Sequence, residues 1–352
     1  DDFHLMLTLN TKKEDVRFAL FGSGKVLCEF ILILKKYNFH DPVVITHLQE
    51  HHTRDDTLLN SKDYYENIFE FCNNNNVSLI ESNDINNIEF ISTLKNQGIN
   101  YIISYNNRFI FKDNYFSSFK NIFNMHHGRL PFEKAGSPTS NKILNNVNEI
   151  YVTMHQVDKG IDSGPIIDME AIKVKDILDY TIEDIFRMHN DLSIKLFNSF
   201  INNIIDQKEI YLDEQDKSKS ITLPRLYTEI HGAIDWNWTG LEIKRFVKAF
   251  SHPYPGAFTF YKDKEIKIFD IDLEEPPHYF HPFFIGKIIG EKNEKYAKVV
   301  VSDKILILKE IIFNDKLTTN TSILRSGETL FTPPDILLKA KNTRVYPNNI
   351  KL

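Results

Sequence analysis

Short apolar runs alternate with amphipathic stretches over the first 130 residues. Residues 16–21 (Val-Arg-Phe-Ala-Leu-Phe) predict a strand, Gly22-Ser23-Gly24 a turn and residues 25–37 a helix. Residues 43–46 predict a second strand. A helix follows over 61–73, with Tyr64, Tyr65, Ile68, Phe69 and Cys72 on one face at a period of 3.6 residues. Strands at 77–80, 101–104 and 122–126 and a helix at 88–96 complete the pattern. Strands alternating with helices predict an α/β domain built on a doubly wound parallel sheet.

Residues 180–207 then read as one long helix. Thr181 and Asp184 suit a capping box, and Ile182, Ile185, Phe186, Leu192, Leu196, Phe197, Phe200, Ile201 and Ile204 form one apolar stripe. The polar segment 213–219 follows, which places a domain boundary near 210 and gives domains at 1–210 and 211–352. Beyond it the pattern changes to short β-rich runs at 258–261, 264–271, 286–289, 297–301 and 305–312, with one helix at 241–250. A small β-barrel of about five strands is the expectation.

Charge and composition narrow the function. The 352 residues carry 42 Lys+Arg and 48 Asp+Glu, net −6, which is no broad footprint for nucleic acid or an anionic membrane. The first 210 residues hold 21 basic and 29 acidic residues, the remainder 21 and 19. Two cysteines, Cys28 and Cys72, make neither a disulfide framework nor a four-thiolate zinc site, so a reducing cytoplasm is expected. No apolar run approaches the roughly 18 residues of a spanning helix. The first residues, Asp1-Asp2-Phe3-His4, lack the positive start of a secretion signal.

Gly22-Ser23-Gly24 stands where a phosphate-binding turn would, but Leu27 occupies the next fingerprint position, so a dinucleotide motif is incomplete. A tight strand-to-helix turn that needs small residues is the favoured explanation. The more informative stretch is Asn124-Met125-His126-His127-Gly128-Arg129-Leu130-Pro131. Asn124 and His126, two apart at a strand end, point to one side, and strand ends are where open α/β sheets bind ligands. An amide N–H₂ can donate to a developing oxyanion and an imidazole can take a proton. A second stretch, Thr153-Met154-His155-Gln156-Val157-Asp158-Lys159-Gly160-Ile161-Asp162-Ser163-Gly164-Pro165, reads as a strand and an acidic loop. It lacks the calcium-loop pattern, and His127 and His155 lack a third partner at zinc-ligand spacing.

Together the two stretches resemble the N10-formyltetrahydrofolate-dependent formyltransferases. That family has an Asn-x-His at a strand end, a Leu-Pro after it and an Asp-x-Gly loop further on, here Asn124, His126, Leu130-Pro131 and Asp162-Ser163-Gly164-Pro165. The resemblance gives Asn124, His126 and Asp162 the catalytic roles. It implies a Rossmann-like catalytic domain and an OB-like C-terminal barrel. Tyr105-Asn106-Asn107-Arg108-Phe109-Ile110 resembles the loop that borders the pterin, so Tyr105, Asn106, Arg108, Phe109, Ile110 and Asp158 are assigned to the formyl donor. Gly22, Lys134 and Tyr254 are assigned to the acceptor. Asp235-Trp236 and Pro253-Tyr254-Pro255-Gly256-Ala257 match the second-domain signature of the methionyl-tRNA and aminoarabinose enzymes. Departures fall at His127, Gly128, Arg129 and Lys134-Ala135, where the family usually has Gly or Pro, Ser, Leu and Arg-Gly; they bear on acceptor choice.

The resemblance therefore implies N10-formyltetrahydrofolate as co-substrate, no metal, and a nucleotide-linked amino sugar as acceptor, in the making of surface polysaccharide such as O-antigen. The run 50–63 supports a sugar over tRNA, since Glu50, Asp55, Asp56 and Asp63 outweigh Arg54 and Lys62 where tRNA enzymes carry a basic loop. Methionyl-tRNA is the alternative acceptor, supported by the slightly basic second domain and Lys339, Lys341, Arg344 and Lys351. Formyltetrahydrofolate hydrolysis and non-catalytic binding rank lower. Of Tyr254, Phe258, Phe260, Tyr261, Phe280, Phe283 and Phe284, most are expected to pack the barrel and one to stack on a base. A cytoplasmic homodimer without nucleic-acid or membrane partners completes the expectation.

Overall fold

The computed structural model describes residues 5–7, 12–52, 59, 63–291 and 294–345. The chain divides into two compact units. The first comprises residues 1–138, 149–173 and 186–223, the second 139–148, 174–185 and 224–352.

The first unit is built on a seven-stranded sheet. Its strands are β1 (Phe18–Gly22), β2 (Val43–Thr46), β3 (Leu79–Glu81), β4 (Tyr101–Tyr105), β5 (Asn121–His126), β6 (Glu149–Gln156) and β7 (Ile166–Lys173), in the order β3-β2-β1-β4-β5-β6-β7. The first five are parallel, as expected, and β6 and β7 extend the sheet antiparallel. β1 and β4 are buried along their whole length, consistent with sequences that are apolar but for Ser104. Helix α1 (Lys25–Lys36) follows β1 and buries Val26, Leu27, Cys28, Phe30, Ile31, Ile33 and Leu34. Phe30 stacks on Phe197 of the long helix Ile182–Ile205, with ring centroids 4.0 Å apart, and Phe123 of β5 meets Phe200 at 5.3 Å.

Two helix ends show how local chemistry set the limits. The helix expected over 61–73 begins only at Ile68, because the Asn67 side chain accepts from the N–H groups of Phe69 (2.9 Å) and Glu70 (3.2 Å) and caps it there. Ser61 and Lys62 lie outside the described residues. The long helix starts where the capping pair placed it. Thr181 N–H and Oγ donate to Asp184 (2.8 and 2.7 Å), and Asp184 N–H donates back to Thr181 Oγ (3.1 Å).

Order along the sheet reverses beside β1 and β4, and their carboxyl ends meet there. Gly22 has φ +130°, and a Cβ added to it would lie 1.7 Å from the Tyr105 carbonyl oxygen. The turn therefore needs glycine so that two backbones can touch. Gly22→Ala is expected to cost at least about 3 kcal/mol, read as a fall in the urea midpoint or a loss of folded protein. A midpoint equal to wild type would contradict this contact.

The second unit is a closed antiparallel barrel. Its strands are β8 (Ala257–Tyr261), β9 (Lys264–Glu274), β10 (Ile288–Ile289), β11 (Lys298–Val300), β12 (Ile305–Phe313), β13 (Lys316–Thr318) and β14 (Leu330–Phe331). The path runs β10-β11-β12-β9-β8-β14, with β13 paired to β12. Leu330 N–H donates to Gly286 O and Ile288 N–H to Glu328 O (both 2.8 Å), which joins the two ends and removes the open edge. Helix Gly240–Ala249 lies against β9, begun by a Thr239/Glu242 capping box. The sequence pattern showed this helix alone. The structure adds Thr228–His231, too short to leave a period, and Pro334–Asn342, which buries no residue and so has no apolar stripe to read.

Candidate active site

The centre of the site is set by strand register. Asn124 of β5 lies opposite His155 of β6, and His126 opposite Thr153. Alternation along β5 puts Asn124 and His126 on one face. The loop after β6 returns Asp162 to the same place with φ +49°, a left-handed conformation that Asp tolerates better than most residues. Asp162 Oδ2 lies 3.5 Å from His126 Nδ1, and Oδ1 lies 3.5 Å from both Asn124 Nδ2 and His155 Nε2. Asn124 Nδ2 is 3.2 Å from His155 Nε2. The Ala135 N–H donates to Asp162 Oδ2 at 3.0 Å, and Ala135 itself has φ +71°.

The imidazole bonds fix which nitrogens carry protons. His155 Nδ1–H donates to the Gln156 carbonyl (2.9 Å), leaving Nε2 to accept from the Asn124 amide. His126 Nε2–H donates to the Glu133 carbonyl (2.5 Å), leaving Nδ1 turned to Asp162. Both rings are almost fully buried. Burial pushes His126 below the ordinary imidazole range, opposed by the Asp162 carboxylate. Burial alone would raise Asp162, but the imidazoles of His155 and His126 beside it and the Ala135 N–H outweigh it and hold the carboxyl well below its usual range. The centre is thus a carboxylate beside a neutral imidazole, with an amide donor touching both histidine and carboxylate.

Both shifts act in one direction on stability. The unfolded chain takes up the His126 proton below about pH 6.5 and the Asp162 proton below about pH 4, in each case before the folded protein does. Stability is therefore expected to fall as pH drops below about 6.5 and to fall further below about 4. Thermal melts across this range check it, and Asp162→Asn should remove the lower component. A midpoint independent of pH between 7 and 4 would contradict the assignment.

The remaining residues read from sequence fall into distinct places. Tyr105 is not a free face of the loop. Its ring is buried, its O–H lies 3.0 Å from His127 Nε2 and donates to Asn190 Oδ1 (3.4 Å), and burial raises its pKa. Asn106 has φ +48° and donates to Ser23 Oγ (3.3 Å). Arg108 N–H donates to His47 Nε2 (3.2 Å) and its guanidinium to His51 O (3.0 Å). Phe109 stacks on His47 at 3.7 Å, and Ile110 is 57% exposed. His47 is held neutral, its pKa lowered to about 4 by burial and by Arg108. Asp158 caps its own loop, accepting from Gly160 N–H (3.0 Å) and Ser163 Oγ (2.6 Å).

Lys134 is buried in a two-residue parallel pairing with Thr222. Gly22 has the backbone contact described above. Tyr254 lies in the second unit, after the helix Gly240–Ala249, where the adjacent Gly256 (φ +97°) brings backbone onto the Phe269 ring. Of the second unit's aromatics, Phe258 and Tyr261 are core, whereas Phe283 and Phe284 are exposed. Asp55, Asp56, Arg54 and Lys62 of the acidic run, and Lys351 of the tail, lie outside the described residues. Among the described residues no cluster of His, Cys, Asp and Glu could hold a metal, and no helix is long and apolar enough to cross a membrane.

Two neighbours of Asp162 escaped the sequence reading as site residues. His155 reads as a strand residue and is weighed only as a zinc ligand, and the antiparallel register that sets it against Asn124 leaves no local signal. Gln215 is 53 positions from Asp162 and donates to its backbone carbonyl (3.0 Å).

Comparison with known proteins places this geometry. Residues 228–327 match the formyl transferase C-terminal domain. The chain carries this domain and is similar along its length to formyltransferases. Over 342 residues, 90% of the chain, it is 26% identical to the bifunctional polymyxin resistance protein ArnA of Wigglesworthia glossinidia brevipalpis, of which it covers 50%. Over 195 residues, 53% of the chain, it is 31% identical to methionyl-tRNA formyltransferase of Dictyoglomus turgidum, of which it covers 58%. The chain thus spans about half the length of the curated relatives it matches. Two solved structures share the fold. One is WlaRD, a sugar 3N-formyl transferase determined with dTDP and 5-N-formyl-THF (TM-score 0.61, 23% identity, 84% of this chain and 98% of that one). The other is the N-formyltransferase of Helicobacter canadensis with folinic acid and dTDP-3-aminofucose (TM-score 0.62, 24% identity, 83% and 98%).

Proposed function

We propose that this protein moves a formyl group from N10-formyltetrahydrofolate to the amino group of a nucleotide-linked amino sugar. The observation that carries the reading is the meeting of Asn124, His126 and Asp162 at 3.5 Å contacts beside a strand end, in a chain with a formyl transferase C-terminal domain. Sugar over tRNA is supported by the two sugar enzymes whose chains are covered almost end to end.

The chemistry follows from the donors present. The neutral amine forms a bond to the formyl carbon, and the carbonyl electron pair moves onto oxygen. Asn124 donates an amide N–H to that oxygen. His126 adds a second donor, Nε2–H, by exchanging its Glu133 bond for the oxyanion. Asp162, ionised at neutral pH, takes the proton that the amine loses, directly or through water. Collapse breaks the bond to N10, which leaves with a proton. For the donor, the turn at 106–110 offers backbone groups and the exposed Ile110 near the switch point, an environment that suits a flat, partly apolar ring.

The test offers purified protein formyltetrahydrofolate with dTDP-, UDP- and GDP-linked amino sugars and with methionyl-tRNA. The expected product is a nucleotide sugar heavier by one formyl group in place of hydrogen. Formylation of methionyl-tRNA alone would replace the sugar reading with the tRNA one, which the curated methionyl-tRNA relatives would then explain.

A further inference from the structure

The loop that carries Asp162 is clamped from below by one amide. Gln215 Nε2 donates to the carbonyl of Asp162 (3.0 Å) and to that of Gly164 (2.6 Å), so both of its protons are spent on two carbonyls flanking one turn. The segment that bears Gln215 is itself fixed, since Asp213 and Ile166 exchange both backbone hydrogen bonds at 2.8 Å. Gln215 is 7% exposed, and its Oε1 is buried with no hydrogen-bond partner among the described residues. Turning the amide over would point an oxygen at two carbonyl oxygens, so the unpaired Oε1 is the cost of the clamp. A buried acceptor left without a donor is uncommon in a packed core and marks a position kept for what its other end does.

What the other end holds is a strained residue. Asp162 has φ +49°, and only that backbone turn presents its two oxygens to His126, Asn124, His155 and the Ala135 N–H together. We infer that Gln215 is a positioning residue, holding the Asp162 backbone in its left-handed turn so that the carboxylate meets the Asn124–His126 corner. The inference rests on the proposed reaction for its kinetic consequence, though not for its structural one.

Gln215→Met keeps the length of the side chain and removes both donors. Turnover is expected to fall about tenfold, with KM for donor and acceptor within about twofold of wild type. Carbon-13 NMR of the labelled Asp162 carboxyl reads the same positioning without any substrate, and its midpoint should move up, towards that of a free carboxylate. Gln215→Glu covers the case in which the Met variant does not fold. Its ionised carboxylate would face two carbonyls, whereas protonation restores one donor, so its rate relative to wild type should rise as pH falls. An unchanged turnover and Asp162 midpoint in folded Gln215→Met, or a constant near-wild-type ratio in Gln215→Glu, would overturn the inference. Wild-type protein inactive on every acceptor, with an Asp162 midpoint that still moves in Gln215→Met, would overturn the proposed reaction and leave the clamp standing.

Discussion

Asp162→Asn is expected to lower formyl-transfer turnover about 1000-fold while leaving the fold intact. The carboxylate has two tasks at once: it accepts from both the Ala135 N–H and the Asn124 amide, and it receives the amine proton. The amide can do neither. It cannot take a proton at neutral pH, and its N–H₂ would oppose either the Ala135 N–H or the Asn124 amide, both of which now donate to Asp162. Steady-state rates with a saturating nucleotide amino sugar measure the effect, and circular dichroism confirms folding. A rate within tenfold of wild type would remove Asp162 from the chemistry.

Asn124→Ala is the second large effect, a loss of about 100- to 1000-fold in turnover with KM for the formyl donor nearly unchanged. An interaction that forms only as charge develops on the oxygen shows in kcat and not in ground-state binding. The amide is well placed for this. His155, fixed by the Gln156 carbonyl, offers a lone pair to one Asn124 proton and so sets which way the amide points. The second proton is the weakly held one, since Nδ2 lies 3.5 Å from Asp162 Oδ1, and it can turn to an oxyanion. Binding of folinic acid measured by calorimetry should be the same for variant and wild type. A large loss of folinic acid affinity with unchanged turnover would assign Asn124 to donor binding instead.

Much of the site is legible in the sequence because it is local. Two-residue spacing by itself puts Asn124 and His126 on one face of β5, and the paired turn residues around Asp162 mark a loop. Thr181 and Asp184 set a helix start that the structure reproduces. What is not legible depends on long-range pairing. β6 and β7 alternate apolar with polar positions (Ile167, Met169 and Ala171 against Asp168 and Glu170), which marks a half-exposed strand but does not name the neighbour it pairs with or the register. His155 joins the centre only through β5–β6 register. Gln215 reaches Asp162 across 53 positions. Gly22 reads as a tight strand-to-helix turn, but its reason, the close approach of the β4 backbone at Tyr105, is a contact that no single strand announces. Tyr105 groups in sequence with the loop assigned to the pterin, yet it is the last residue of β4, a strand buried on both faces, and its ring turns inward to His127 and Asn190.

The most direct measurement is a crystal structure of the protein soaked with folinic acid and a nucleotide-linked amino sugar. The account predicts the acceptor amine about 3–3.5 Å from the formyl-bearing position, with both reacting groups against Asn124, His126 and Asp162. Folinic acid bound away from that corner, or an amino sugar whose amine faces elsewhere while transfer still proceeds in solution, would contradict it.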